Sequence, residues 1–151
     1  MSKWTTGISI ITGATPQGGN HPMGIICNSL TSISLVEKEI LWTVDYGSSS
    51  HSYWKTADYW AIHFLSSTQK DLVKRFAQKG GNKFEGLDYR LSNEGLPLFD
   101  VFLARLECKM IQKFETTDHT ILIGKVLKIA DNDLAPLVFL HGKLLDGNSL
   151  N

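Results

Sequence analysis

The sequence predicts a mainly β domain with one or two helices, arranged as an antiparallel barrel. Three observations carry that reading. Short β-branched and aromatic runs recur through the first third, broken by Gly, Pro, Asn and Ser clusters. Two longer runs, 101–114 and 119–129, alternate apolar and polar residues, as half-buried strands do. One segment, 66–79, has clear helical spacing of its apolar residues.

In chain order, Gly7–Thr12 (GISIIT) reads as a strand, and GATPQGGNHP after it as the turn of an opening hairpin, since Gly and Pro punctuate it. Met23–Cys27 supplies the returning strand. Ser32–Leu35 is expected to be a strand, VEKE at 36–39 a polar turn, and Ile40–Val44 a short buried strand. After DYGSSSHS at 45–52, Tyr53–Asp58 is expected to form a short helix and Tyr59–Leu65 a strand. In SSTQKDLVKRFAQK a Ser/Thr cap precedes Leu72, Val73 and Phe76 on one face, with Lys70, Lys74, Arg75 and Lys79 as a solvated remainder. Residues 80–100 are rich in Gly, Asn and Pro and exceed the length of a plain connector, which marks a functional loop.

From Val101 to Phe114 the alternation places Phe102, Ala104, Leu106, Cys108 and Met110 on one side, and Arg105, Glu107, Lys109 and Lys113 on the other. His119–Ile129 repeats the pattern with Ile121, Ile123, Leu127 and Ile129, and Gly124 sits where a bulge or a close backbone approach is natural. ETTD joins these two strands as a hairpin. PLVFLHGKLL reads as one last strand, and the helices are expected to cover an open edge of the barrel.

Composition bounds the function. The 151 residues make one domain, and 42% apolar against 20% charged residues excludes a disordered chain. Fifteen Lys and Arg balance fifteen Asp and Glu with no basic cluster, which argues against nucleic acid. Cys27 and Cys108 have no metal-ligand spacing and read as reduced, packed thiols. The N-terminal apolar run is too short for a signal sequence or a membrane span, so no membrane contact and a cytoplasmic location are expected.

The stretch GIICNSLTSISL puts Asn28, Ser29, Thr31, Ser32 and Ser34 inside an apolar run. An unpaired buried polar group costs about 1–3 kcal/mol, so such residues point to a polar ligand or to neighbouring backbone that satisfies them. Further polar clusters lie at 27–32, 45–52, 80–86 and 117–120. Ser48, Ser49 and Ser50 precede an expected helix, whose first N–H groups would add an anion site. No G-x-S-x-G elbow or H-E-x-x-H is present. Of the five histidines only His119 has company, in Asp118 beside it, and the glycine pattern of a dinucleotide-binding βαβ unit is missing.

TTGISIIT, GIICNSLTSISL, QKDLVKRFA, NKFEGLDYRLSNEGLPLFD, LARLEC, DHTILIGKVL and PLVFLHGK occur in an order that resembles the flavin reductase-like family of FMN-binding split barrels. The resemblance covers nearly the whole chain. It implies a six-stranded antiparallel Greek-key split barrel, a homodimer, and FMN or FAD in a groove near the subunit interface. It implies that Cys27, Asn28, Ser29, Leu30, Thr31 and Ser32 lie along the isoalloxazine and ribityl chain, that Ser48, Ser49 and Ser50 meet the phosphate, and that Asn82, Lys83 and Phe84 close over the cofactor. His119 matches a position associated with the nicotinamide donor. Relatives commonly carry Asp at Asn82, Gly at Thr117 and an aromatic residue at Leu144, where this sequence departs.

The implied activity is reduction of FMN or FAD by NADH or NADPH, with reduced flavin passed to a monooxygenase. Such chemistry asks the protein for binding and orientation, with the two rings stacked at about 3–3.5 Å, and for no nucleophile or metal. The competing expectation is a carrier, store or sensor that keeps its flavin without turnover.

Overall fold

The computed structural model describes residues 3–15 and 21–150. Its strands are β1 (Thr6–Gly7), β2 (Ser9–Thr15), β3 (His21–Cys27), β4 (Thr31–Ser34), β5 (Glu39–Asp45), β6 (Tyr59–Phe64), β7 (Arg90–Leu91), β8 (Pro97–Leu98), β9 (Ala104–Glu115), β10 (His119–Asp131), β11 (Leu137–Leu140) and β12 (Lys143–Asp146). The helices are α1 (His51–Trp54) and α2 (Lys70–Ala77). Seven strands form one sheet in the order β3-β2-β6-β9-β10-β5-β4, every pair antiparallel. Within it β6, β9 and β10 neighbour one another in sequence order while β5, which precedes them, lies beside β10, and that is a Greek key. The sheet has seven strands where the resemblance implies six, because the short β4 pairs with β5 at the edge.

The sheet curls, so residues from its far ends share one core. Ile11 and Cys27 pack with Ile40, Trp42, Val44, Trp60, Ile62, Cys108 and Leu122, and Trp54 of α1 closes the end. The ring of Trp42 meets Trp54 and Trp60 edge-on at 5.4 and 5.9 Å, the arrangement aromatic quadrupoles favour. β3 and β4 are the edges of the split, and α2 lies against β3 with Phe76 over Gly24. The expected cover of an open edge by a helix is thus present.

The opening hairpin forms as expected, with Ser9 opposite Cys27 and Thr15 opposite His21, although residues 16–20 of its turn lie outside the described residues. Gly124 satisfies both expectations placed on it. The ladder to β9 shifts register beside it, and a Cβ there would sit 2.6 Å from Trp60 Cζ2.

Four expectations need correction. The helix expected at Tyr53–Asp58 is instead the single turn His51–Trp54, because the Thr56 hydroxyl bonds back to the carbonyls of Ser52 and Tyr53 and ends it. On β9, Arg105 and Glu107 are buried, since the 96–102 segment lies over that face; the Arg105 Nη1 donates to Phe99 O at 2.9 Å and its guanidinium sits 4.4 Å from the Phe102 ring. On β10 the inward residues are Thr120, Leu122 and Gly124, whereas Leu127 and Ile129 are exposed. The strand is apolar on both faces, and the bulk of Trp60 requires the smaller set inside.

The fourth correction splits PLVFLHGKLL into β11 and β12 around His141–Gly142, both with positive φ (53° and 74°). That is the backbone of a tight hairpin turn, which asparagine adopts more readily than histidine. His141→Asn is expected to raise stability by about 0.5–1 kcal/mol, read as a higher midpoint in a urea titration at unchanged slope.

Candidate functional site

A groove of about 570 Å³ opens beside β3, walled by His21–Gly24, Ser49, Ser50, Gly80–Phe84 and Tyr89. Two of the sequence clusters therefore meet in one place. The serine loop is set by its own hydrogen bonds. Ser48 N–H donates to Asp45 O at 3.0 Å, and the Ser50 hydroxyl accepts from the buried Trp54 indole at 2.9 Å. Ser48 does not line the groove, but its hydroxyl lies 3.2 Å from that of Ser50 and steadies it. The expected helix N-terminus does not provide an anion site: α1 is one turn, and His51 N–H is spent on Ser48 O. What faces the groove is hydroxyl and loop backbone.

Across the groove, Asn82 accepts the Phe84 N–H at 3.2 Å and folds the chain so that Phe84 turns inward. Phe84 packs against Phe76 at 5.2 Å and Phe99 at 6.0 Å. Lys83 reaches back to donate to Phe76 O at 2.9 Å, near the end of α2, and partial burial pushes its ammonium below the usual lysine range. A Cβ at Gly24 would overlap Phe76 and approach Phe84, so glycine is what allows the aromatic lid to close on β3.

The Asn28–Ser32 stretch is not part of this groove. Asn28, Ser29, Leu30 and Thr31 line a second one of about 540 Å³ with Trp4, Thr6, Phe139 and Gly142, and Ser32 lines neither. Two of the hydroxyls in question serve the fold: Ser29 accepts Thr43 N–H at 3.0 Å, and Ser34 accepts Glu37 N–H at 3.1 Å. Among the described residues the side chains of Asn28, Thr31 and Ser32 have no hydrogen-bond partner, and the buried Thr6 hydroxyl has none either. Cys27 is buried with its thiol raised by desolvation, so its side chain is inert packing beside the site.

His119 opens β10 at the same end of the barrel as the serine loop. Tyr46 N–H donates to Asp118 O at 2.9 Å, Tyr46 hydroxyl donates to Thr116 O at 2.8 Å, and His51 Nε2 lies 2.8 Å from the Thr120 hydroxyl. These contacts lock the β9–β10 hairpin to residues 45–51. His119 Nδ1 is 2.8 Å from Asp118 Oδ1, whereas Nε2 is 3.9 Å from Asp45, too far for a hydrogen bond. The carboxylate thus fixes Nδ1–H and Nε2 makes no hydrogen bond among the described residues, and His119 lines neither groove.

Sequence reasoning missed Thr6, Tyr89 and Phe139, which carried no local signal. Gly24 had one, a glycine inside a strand. Among the described residues no group of three or more His, Cys, Asp or Glu side chains could hold a metal, and no helix is long and apolar enough to cross a membrane.

Comparison with known proteins gives this geometry a context. The chain is 38% identical over 142 residues to the FMN reductase (NADH) SmoA of Agrobacterium fabrum, covering 94% of this chain and 79% of that one. It is 31% identical to the reductase component of the flavin-dependent trigonelline monooxygenase of Acinetobacter baylyi, again over 94% of this chain but only 45% of that longer protein. The solved NADH:FAD oxidoreductase SgcE6 of Streptomyces globisporus, in complex with NAD and FAD fragments, superposes with a TM-score of 0.87 at 27% identity, covering 95% of this chain and 86% of that one. The family model for the flavin reductase like domain matches residues 1–147, and the chain belongs to that family.

Proposed function

We propose that this protein is an NAD(P)H:flavin oxidoreductase that reduces FMN or FAD and supplies the reduced flavin to a monooxygenase. The observation that carries it is the set of unspent hydrogen-bonding groups along one groove, Asn28, Thr31 and Thr6, together with a groove lined by Ser49 and Ser50 under an aromatic lid. These suit a planar ring with polar edges and an anionic tail, since hydroxyls and free backbone amides bind both without a metal. When bound, a flavin supplies the redox chemistry by taking electrons from a reduced nicotinamide. Ser49 and Ser50 hold the tail, Asn28 and Thr31 hydrogen-bond the ring edge, and Phe84 with Gly24 excludes water from the groove wall. His119 offers Nε2 to the nicotinamide amide. The names of the relatives from Agrobacterium and Acinetobacter support the reaction and the monooxygenase partner.

The protein works as a homodimer. Register places Thr31, Leu41 and Ile123 in one row across β4, β5 and β10, and Thr43, Ile121 and Phe114 in the next, all on the face away from Trp42 and Leu122. Ile33 and Phe114 are exposed there, as are Leu35 and Val36 at the β4–β5 turn, and a second copy would cover this apolar face beside the Asn28–Thr31 groove. Phe114→Glu is expected to shift the protein to monomer in sedimentation velocity; an unchanged dimer would mean that another face pairs.

Purified protein mixed with flavin and NADH should lose absorbance at 340 nm in a flavin-dependent way. No turnover with either nicotinamide, from protein that keeps bound flavin through gel filtration, would favour the carrier reading instead.

A further inference from the structure

Resting on the reductase reading, we propose that the cleft next to the main groove is an anion subsite for a phosphate in the adenosine-bearing half of a dinucleotide. The cleft is about 200 Å³ and is lined by Arg75, Gln78, Gly80, Gly81, Asn82, Lys83 and Glu85. It shares the wall Gly80–Lys83 with the main groove, so the two form one path with the glycine pair between them. A ligand whose tail rests on Ser49 and Ser50 meets this cleft only if it continues beyond its first phosphate. FMN ends there, whereas a dinucleotide goes on.

The cleft is built for negative charge. Arg75 Nη1 donates to Glu85 O at 2.7 Å and Lys83 Nζ donates to Phe76 O at 2.9 Å. Each cation is thereby held in place while most of its donors stay unspent, because a guanidinium has five N–H groups and an ammonium three. Gly80 and Gly81 both have φ near +74° (73° and 74°), a backbone that other residues adopt only under strain, and open space surrounds both Cα atoms. Among the described residues the N–H groups of Gly80, Gly81 and Asn82 meet no acceptor. Successive main-chain amides beside two fixed cations make an anion-binding concavity. The Glu85 carboxylate lines the same cleft and opposes an anion, but it stands alone against Arg75 and Lys83.

The adenosine-bearing half exists in FAD and in the nicotinamide donor, and the test separates them. Wild type and Arg75→Gln are titrated with riboflavin, FMN and FAD by fluorescence quenching, and the KM for NADH is measured on each. A roughly tenfold loss of FAD affinity with FMN and riboflavin unchanged assigns the subsite to FAD. A roughly tenfold rise in the KM for NADH with all flavin affinities unchanged assigns it to the nicotinamide donor. Equal losses for riboflavin, FMN and FAD, or no loss for any ligand, would overturn the proposal. Because Arg75 also holds the Glu85 carbonyl, a loosened loop is separated from a lost subsite by titrating inorganic pyrophosphate into wild type by calorimetry as well. Binding that competes with FAD or NADH but not with FMN supports the subsite, and no pyrophosphate binding sinks it. Loss of riboflavin and FMN binding altogether in wild type would instead sink the reductase reading, while the pyrophosphate titration still reads the subsite.

Discussion

His63→Leu is expected to destabilise the protein by about 3 kcal/mol at neutral pH and to flatten its acid unfolding. His63 is fully buried in β6 and neutral, its pKa pushed down to about 3 first by burial and further by the nearby Arg105. Its Nε2 accepts the Phe99 N–H at 3.2 Å, and its Nδ1 faces Ile10 O at 3.4 Å. Leucine would fill the space but leave a buried N–H unpaired, a cost of about 1–3 kcal/mol, and would lose the ring contact with Phe99 at 4.8 Å. The damage spreads because His63 is one of several pins on the 96–102 segment. Thr12 hydroxyl donates to Pro97 O, Arg105 to Phe99 O, Gln69 to Val101 O and Asn132 to Phe102 O. Phe99 in turn backs Phe84 and Phe76, so loosening the strap loosens the groove lid.

The pH dependence has a definite sign. The folded pKa lies below the ordinary value of 6.5, so the stability linked to neutral His63 is complete above that value and is lost as pH falls toward 3. Wild type should therefore lose about 3 kcal/mol from this residue between neutral pH and pH ~4.5, and the leucine variant should lose none of it. Urea titrations at both pH values measure the difference. Equal acid losses in the two proteins would show that His63 is not the group responsible.

Much of this architecture was legible in the sequence, and the failures have physical causes. β2 and β6 are buried on both faces and β5 alternates buried with half-buried residues, and with β3 their β-branched runs announced them. The two long strands misled on facing, β9 because a second layer lies over part of it and β10 because bulges interrupt its alternation. Arg105 and Glu107 look like solvent-facing charges until the distant 96–102 strap covers them, and no local window contains that strap. Ile121, Ile123, Leu127 and Ile129 look like a core face, yet the buried residues are Thr120, Leu122 and Gly124, and a bulge between Val126 and Lys128 breaks the alternation before Ile129. For the site, residue types were readable but their spending was not. Ser29 and Ser34 have the same chemistry as Thr31 and Ser32, and only the positions of Thr43 N and Glu37 N decide which pair is spent on the fold. The division of the cluster between two grooves, and the glycine pair joining one of them to a cationic cleft, depend on how loops 28–31 and 80–84 settle on the barrel.

His119→Ala is expected to lower kcat/KM for NADH about 100-fold while leaving flavin affinity and stability nearly unchanged. A donor ring that must stack within about 3–3.5 Å loses roughly that much when its orientation is released. The side chain is over a third exposed and makes its hydrogen bond to the exposed Asp118, so its removal opens no buried cavity. Its main-chain groups hold the hairpin through the Thr116 hydroxyl and N–H, and alanine keeps these. The fold should therefore tolerate the change, and the loss belongs to the donor. Two further variants separate positioning from a general disturbance. His119→Asn keeps a short hydrogen-bonding side chain and should recover part of the activity. Asp118→Asn removes the carboxylate that fixes Nδ1–H and should fall between wild type and His119→Ala, with its effect in KM more than in kcat because only the donor's seating is loosened. Stopped-flow mixing of flavin-loaded protein with NADH reads the same step without release of product. A rate and a KM that are the same in all four proteins would place the nicotinamide away from His119, with Tyr89 and His21 of the main groove as the next residues to test.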